Sequence, residues 1–303
     1  MKTNHHITIR VWGDFACFTR PEMKVERVSY PVMTPSAARG ILEAIFWEPQ
    51  MFYLIDSIRI VKPGRWSSFR RNEVNDVISI FNAKRWMLSP ELVEPIQADD
   101  PGNDGSNGLP KREAVRTQRN MLALQDVEYL ITAEVRTTPL ANRPGDTLAK
   151  YLEEIERRTR QGKCFHRPAL GMREFAADFD WVEGDPDEAL ARCTAALGRS
   201  PEHYNEDIGL MLYDVFDHRE RASGFRWLRP EEIAASESSN SESSARRPRR
   251  GSPRADQHAA EPCRWTGKLI QPRAAFFKAR VEKSKLDCHP ARVEILFPNT
   301  EGN

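Results

Sequence analysis

TPSAARGILEAIFWEPQMFYLIDSIRIV, residues 34–61, holds a helix and a strand back to back. Thr34 can cap, Pro35 suits the first helical position, and Ala38, Ile41, Leu42, Ile45 and Phe46 recur at helical spacing until Pro49 stops the run. From Phe52 to Val61 the residues turn β-rich. Upstream, Ile7, Ile9 and Val11 alternate with Thr8 and Arg10, the period of a half-buried strand. The opening therefore reads β-α-β. Downstream, Tyr129, Ile131, Ala133 and Val135 alternate as a further strand. A second helix follows, with a cap at Gly145-Asp146-Thr147 and a stripe of Leu148, Tyr151, Leu152 and Ile155. Arg157, Arg158 and Arg160 suit its C-terminal dipole, and Gly162 ends it.

A last strand at Phe175 to Val182 completes an α+β, ferredoxin-like (RRM-like) split β-α-β sheet over residues 1–184, with both helices on one face and the other face open. A long insertion, about 63–125, interrupts it. This insertion holds a strand-like piece, Val77 to Phe81, and the loop-rich run ADDPGNDGSNGLP. Residues 185–303 read as a small antiparallel β-sheet domain, with strands at Met211 to Phe216, Ala275 to Val281 and Arg292 to Phe297. Within it a Ser/Arg-rich stretch, about 234–262, has almost nothing apolar and is expected to be disordered. Its Arg246, Arg247, Arg249, Arg250 and Arg254 read as a solvated loop rather than phosphate ligands. No internal repeat is visible.

Lys+Arg 45 against Asp+Glu 44 in 303 residues leaves a net charge of +1, so bulk charge announces no partner. No stretch approaches the run of apolar residues that a membrane span needs, and the N-terminus lacks the apolar core of a signal peptide, which points to the cytoplasm. Five scattered cysteines form no C-x-x-C pair, and His289 beside Cys288 is a lone pair. No metal and no cofactor are expected. Walker, G-x-G-x-x-G, H-E-x-x-H and G-x-S-x-G motifs are all missing.

Local charge says more than the total. Arg59, Lys62, Arg65, Arg70, Arg71, Lys84 and Arg85 outnumber Glu73 and Asp76 and interleave with Trp66, Phe69, Phe81 and Trp86. Cations neutralise phosphates and aromatic faces stack on unpaired bases, so this is an RNA-facing ribbon or, in the plainer reading, a solvated face. Lys111, Arg112, Arg116 and Arg119 form a second basic cluster.

The run Val11 to Pro21 (VWGDFACFTRP), Val28-Ser29-Tyr30 with Thr34 to Ile41, the Phe46-Trp47-Glu48-Pro49 helix end, Arg70 to Val74 and Leu170 to Phe175 together resemble the CRISPR-associated Cas-five family, in its subtype I-C (Dvulg) branch. The likeness runs in order from about Ile7 to Phe216 and resumes weakly at Ala275 to Ala279. It implies a RAMP-type protein of antiviral defence, an endoribonuclease that cuts CRISPR precursor RNA at the base of the repeat hairpin. It also implies metal-independent cleavage by the 2′-hydroxyl, leaving a cyclic phosphate and a 5′-hydroxyl. The implied partners are the precursor, the mature 5′ handle, the other subunits of the surveillance complex and target DNA within it. The family's catalytic pattern carries over in part: Lys150 matches its Lys, Tyr151 stands where it has His, and Phe46 stands where it has Tyr or His. His166 is a reserve base and Tyr53 a weaker reserve. Core packing accounts equally for Phe46 and Tyr151, each on an apolar stripe. The alternative function is a non-catalytic subunit that holds the 5′ handle and nucleates assembly. A third reading is a ferredoxin-like domain that binds some other partner through its open sheet.

Overall fold

The computed structural model describes residues 5–74, 79–93, 116–138, 141, 143–217, 261–262, 269–270 and 272–297. In chain order the elements are β1 (His6–Ala16), β2 (Arg27–Val28), α1 (Pro35–Ile45), β3 (Met51–Lys62), β4 (Arg65–Val74) and α2 (Ile80–Leu88). There follow β5 (Arg116–Thr137), α3 (Leu148–Arg160), β6 (Asp178–Trp181), α4 (Pro186–Ala196) and β7 (Glu206–Asp217). The chain closes with β8 (Glu261–Pro262), β9 (Leu269–Ile270), β10 (Pro272–Glu282), β11 (Lys285–Asp287) and β12 (Ile295–Leu296).

Among the described residues one large antiparallel sheet runs in the order β12-β10-β11-β3-β5-β1-β6, with β7 on β10, β4 on β5 and β2 parallel to β5. Its register aligns apolar residues in a row. Val281 pairs with Leu286, Leu286 with Ile58, Ile58 with Ile131, Ile131 with Ile9 and Ile9 with Trp181. The helices α1 and α3 close this face through Ala38, Ile41, Leu42 and Ile45 on one and Tyr151 and Ile155 on the other. Both helices start as their sequences require. The Thr34 hydroxyl accepts the Ala37 N–H at 3.3 Å and the Thr147 hydroxyl accepts the Lys150 N–H at 3.3 Å, each relieving one orphaned donor.

Several expectations change. The sheet face opposite α1 and α3 is not fully open, because α4 lies on it and buries Ala189 and Leu190 against Val61 and Leu130. Helix α4 carries its own start signal: Asp185 accepts from the Asp187 and Glu188 N–H groups, Pro186 holds the first position, and acids fill the first turn. The piece read as a strand at Val77 to Phe81 is helical from Ile80, since Ser79 caps the Asn82 N–H. Its first two residues lie outside the described part. Much of the insertion is strand: β4 pairs with residues 116–125 of β5 to make an arm that extends the sheet, with the short β2 on the other edge of β5 at Met121 and Leu122. The strand expected at Phe175 to Val182 spans only Asp178–Trp181, and the last one shrinks to Ile295–Leu296. The chain beyond residue 185 shares its core with the first part, since Met211, Tyr213 and Phe277 cluster with Ile9 and Ile58. The ADDPGNDGSNGLP run and nearly all of the Ser/Arg-rich stretch lie outside the described residues.

The Leu170 to Phe175 motif has a packing reason. The Cys17 N–H donates to the Leu170 carbonyl at 3.0 Å, pulling this loop onto the end of β1. Gly171 sits there at φ 86°, and a Cβ on it would come within 2.1 Å of the Cys17 carbonyl oxygen. Replacing Gly171 by Ala therefore forces both a left-handed backbone and a backbone collision. The Gly171→Ala protein should lose about 2 kcal/mol or more, read as a lower urea midpoint at unchanged slope; an unmoved midpoint would show that the loop is not held against β1.

Candidate functional site

The end of α1 and the start of α3 meet in a charged seam. Lys150, in the first turn of α3 and 47% exposed at its side chain, places its ammonium 3.5 Å from Glu48 and 4.0 Å from Asp146. It also lies 5.0 Å above the Tyr151 ring. A helix N-terminus carries partial positive charge, and there Glu48 and Asp146 hold the Lys150 ammonium in place and offset its charge.

Tyr151 lies beneath Lys150, close to the same two carboxylates. Its side chain is 0% exposed in the core. Burial, reinforced by the Asp146 and Glu48 carboxylates, pushes this phenol up to about 12. At neutral pH it is a proton donor, not a base. Phe46 is buried with the Arg158 guanidinium 5.3 Å over its ring, and its carbonyl accepts the Tyr53 hydroxyl at 2.7 Å. Burial also drives the Tyr53 phenol well above its ordinary value, so Tyr53 serves as a structural strut.

His166 is exposed yet fixed at its backbone. The N–H groups of Phe165 and His166 both donate to the Ala44 carbonyl, at 2.9 and 3.0 Å, which ties the loop after α3 to the last turn of α1. The two rings meet edge to face at 4.4 Å, with Phe165 75% exposed. Phe46 and His166 therefore sit by the later part of α3, Phe46 beneath Arg158 and His166 on Ala44, whereas Lys150 lies in the first turn, about 12 Å along the helix from Arg158. Sequence reasoning missed Glu48, Asp146 and Arg158, the charges that grip these residues. Glu48 was visible within the Trp47-Glu48-Pro49 helix end, but nothing local marked it as the partner of Lys150.

The basic ribbon does not behave as one surface. Arg59 is 5% exposed and its guanidinium is engaged by Asp187 at 2.6 Å, Thr132 at 3.0 Å and Ser57 at 3.1 Å. That corrects its expected RNA-facing position: α4 covers it, and a buried cation needs these partners. Lys62 bonds Asp126 at 2.9 Å, and Arg71 is shared between Glu73 at 3.0 Å and Glu174 at 3.3 Å. Arg65 and Arg70 on β4, and Lys84 and Arg85 on α2, are exposed and make no ion pair among the described residues. Arg119 is half-buried opposite Arg71. Arg116 begins β5, with its side chain outside the described part, and Lys111 and Arg112 lie outside it altogether.

A family model described as CRISPR-associated protein (Cas_Cas5) matches residues 6–260. A protein of Mannheimia succiniciproducens named CRISPR pre-crRNA endoribonuclease Cas5d is 39% identical over 226 residues, which cover 73% of this chain and 90% of that protein. A protein of the same name from Thermus thermophilus is 40% identical over 210 residues, covering 69% of this chain and 72% of that one. A solved CRISPR-associated protein superposes with a TM-score of 0.48 at 16% identity, covering 93% of this chain and 90% of that one. By the extent of the family match and the identity to both relatives, the chain belongs to the Cas5 family of CRISPR-associated proteins, in its subtype I-C branch.

Proposed function

We propose that this protein cleaves CRISPR precursor RNA at the base of the repeat hairpin and then stays on the 5′ handle beside the other subunits of its surveillance complex. The observation that carries the reading is the half-exposed Lys150 ammonium, held by Glu48 and Asp146 at the N-terminus of α3, in the position where the family likeness places a catalytic Lys. The scaffold reading goes with it: the order β6-β1-β5-β3 with α1 and α3 on one face supports reading residues 1–184 as a ferredoxin-like unit to which the later strands add.

In this reading the 2′-oxygen attacks the adjacent phosphorus. The 5′-oxygen leaves with a proton, giving a 2′,3′-cyclic phosphate and a 5′-hydroxyl without a metal ion. Lys150 and the helix terminus stabilise the extra negative charge of the pentacovalent transition state. Phe46 has no proton to exchange. Tyr151 stays protonated and can serve only as a proton donor; His166, whose backbone is fixed against the last turn of α1, is the base this reading assigns, taking the 2′-hydroxyl proton while water supplies the proton of the leaving 5′-oxygen.

A second reading is favoured by one specific observation, the full burial of Tyr151: the chain then grips the 5′ handle without cutting. The two readings part on purified protein mixed with its own repeat RNA in EDTA. The first gives one cut with a cyclic phosphate end; tightly bound but intact RNA would establish the second.

Lys150→Ala should slow single-turnover cleavage by about 10²-fold or more, and His166→Ala by a similar factor, with RNA affinity changed far less. Cleavage at the normal rate in Lys150→Ala would remove the residue from the chemistry. A pH series separates the bases. With a phenol near 12, Tyr151 binds its proton throughout pH 6–10 and contributes no titration there, so Tyr151→Phe should keep the shape of the rate profile across that range. Loss of a rising limb below pH 10 in Tyr151→Phe would reinstate Tyr151 as the base.

A further inference from the structure

The arm made by β4 and the first half of β5 has two unlike faces. On one, Phe69 pairs with Met121 and Arg71 with Arg119. This face packs inward: the Phe69 ring lies 4.9 Å from that of Phe15 and 6.3 Å from that of Phe175, and Cys17 and Met172 join the cluster. The period of two puts Trp66, Ser68, Arg70 and Asn72 on the opposite face. There Arg70 pairs with Asn120 and Asn72 with Gln118.

The outer face has the chemistry of a nucleic-acid platform. Trp66 is 51% exposed, far more than a large aromatic ring keeps in ordinary packing. Arg70, Asn72, Gln118 and Asn120 are exposed, and Arg70 makes no ion pair among the described residues, whereas its neighbour Arg71 on the packed face is held by two carboxylates. No carboxylate occurs among the paired residues of this face; the nearby Glu26 carboxylate accepts the Asn120 backbone N–H at 2.5 Å and makes no ion pair with Arg70. Trp66 pairs with the buried Leu124, and the side-chain amides of Asn72, Gln118 and Asn120 flank Arg70 further along the arm, so exposed polar groups and not a continuous apolar area follow the indole. Trp66 and Arg70 are four residues apart, about 13 Å along the strand, so a base on one and a phosphate on the other belong to different nucleotides.

We propose that this face binds a single-stranded stretch of the RNA substrate, with one unpaired base stacked on Trp66 and a backbone phosphate on Arg70. The proposal rests on the RNA-processing reading above and adds a second contact to it, remote from the cut. Lys150 sits near the far end of β5, because Glu48 contacts it and the neighbouring Pro49 carbonyl accepts the Thr138 hydroxyl at 2.8 Å. Trp66 lies opposite Leu124 and Arg70 opposite Asn120, so 13 and 17 residues of β5, about 43 and 56 Å of extended strand, separate them from the end of β5 at Thr137.

The test uses the full chain and a single-stranded RNA oligonucleotide of its own repeat, followed by fluorescence anisotropy across a salt series. Trp66→Ala should weaken binding about tenfold and Trp66→Phe should restore most of it, since stacking needs a flat ring and not an indole. Arg70→Gln should lower the slope of log affinity against log salt by about 0.7, the share of one phosphate contact on a single strand. Should Trp66→Ala fail to fold, the salt slope of Arg70→Gln still decides, because Arg70 is exposed. Unchanged affinity and slope in these proteins would overturn the proposal and leave the face to a protein partner. Equal losses in Trp66→Ala and Trp66→Phe would overturn the stack. If the unaltered chain binds no repeat RNA, the RNA reading of the whole protein fails; if it binds and cuts while these replacements change nothing, only the role of the arm fails.

Discussion

One row of apolar side chains, Val281, Leu286, Ile58, Ile131, Ile9 and Trp181, crosses six strands and fixes the register of everything else. A slip of one residue in any strand would turn its apolar set away from α1 and α3, so the row admits one pairing. Strand β3 keeps to it only through an irregularity. Tyr53 and Ile55 face the helices, the pairing shifts between Ile55 and Ser57, and Ile58 and Ile60 then face the helices again. Asp56, the residue displaced by that shift, becomes an anchor. Its carbonyl accepts the Cys288 N–H at 2.9 Å and its carboxylate accepts Arg292 at 2.8 Å, which draws the last strands onto the edge of β3. The Arg292 guanidinium holds the Asp56 carboxyl below its ordinary range, in keeping with an ion pair at that edge.

How far the sequence could be read follows from whether a signal is local. Strand β1 and helix α1 were legible because alternation, the Thr34 cap and Pro35 are properties of a few adjacent residues. Strand β4 was not, since Arg65 to Val74 alternates between exposed residues, Trp66 and Val74 among them, and residues such as Phe69 that pack on the distant Phe15, Met172 and Phe175. At Val77 to Phe81 apolar β-branched residues suggested a strand, and the Ser79 cap outweighed them. At the seam, Lys150 was marked by resemblance and Tyr151 was weighed between chemistry and packing. The decision between those two needed the tertiary position of the ring, which no local pattern holds.

Charge shows the same division. The near balance of 45 cations against 44 acids hides a sorting by face. Arg59, Lys62 and Arg71 are held by Asp187, Asp126, Glu73 and Glu174 and serve the fold. Arg65, Arg70, Lys84 and Arg85 remain in solvent without such partners among the described residues. A count along the sequence weighs both groups alike, whereas only an unneutralised cation can release counterions when it meets a phosphate.

Strand β5 ties these parts together. Its 22 residues reach at most about 70 Å. One end forms half of the arm, the middle carries Tyr129, Ile131 and Ala133 in the core, and the other end lies beside the turn that presents Glu48 to Lys150. A change at Asp126, where the chain takes φ 58° and Lys62 bridges to the strand, would re-aim the arm relative to the body without touching the seam. On the reading proposed above, RNA on the arm and RNA at Lys150 would be set at a distance fixed by one packed strand. The geometry of the fold, rather than any single side chain, would then decide which phosphate of a bound hairpin reaches the lysine.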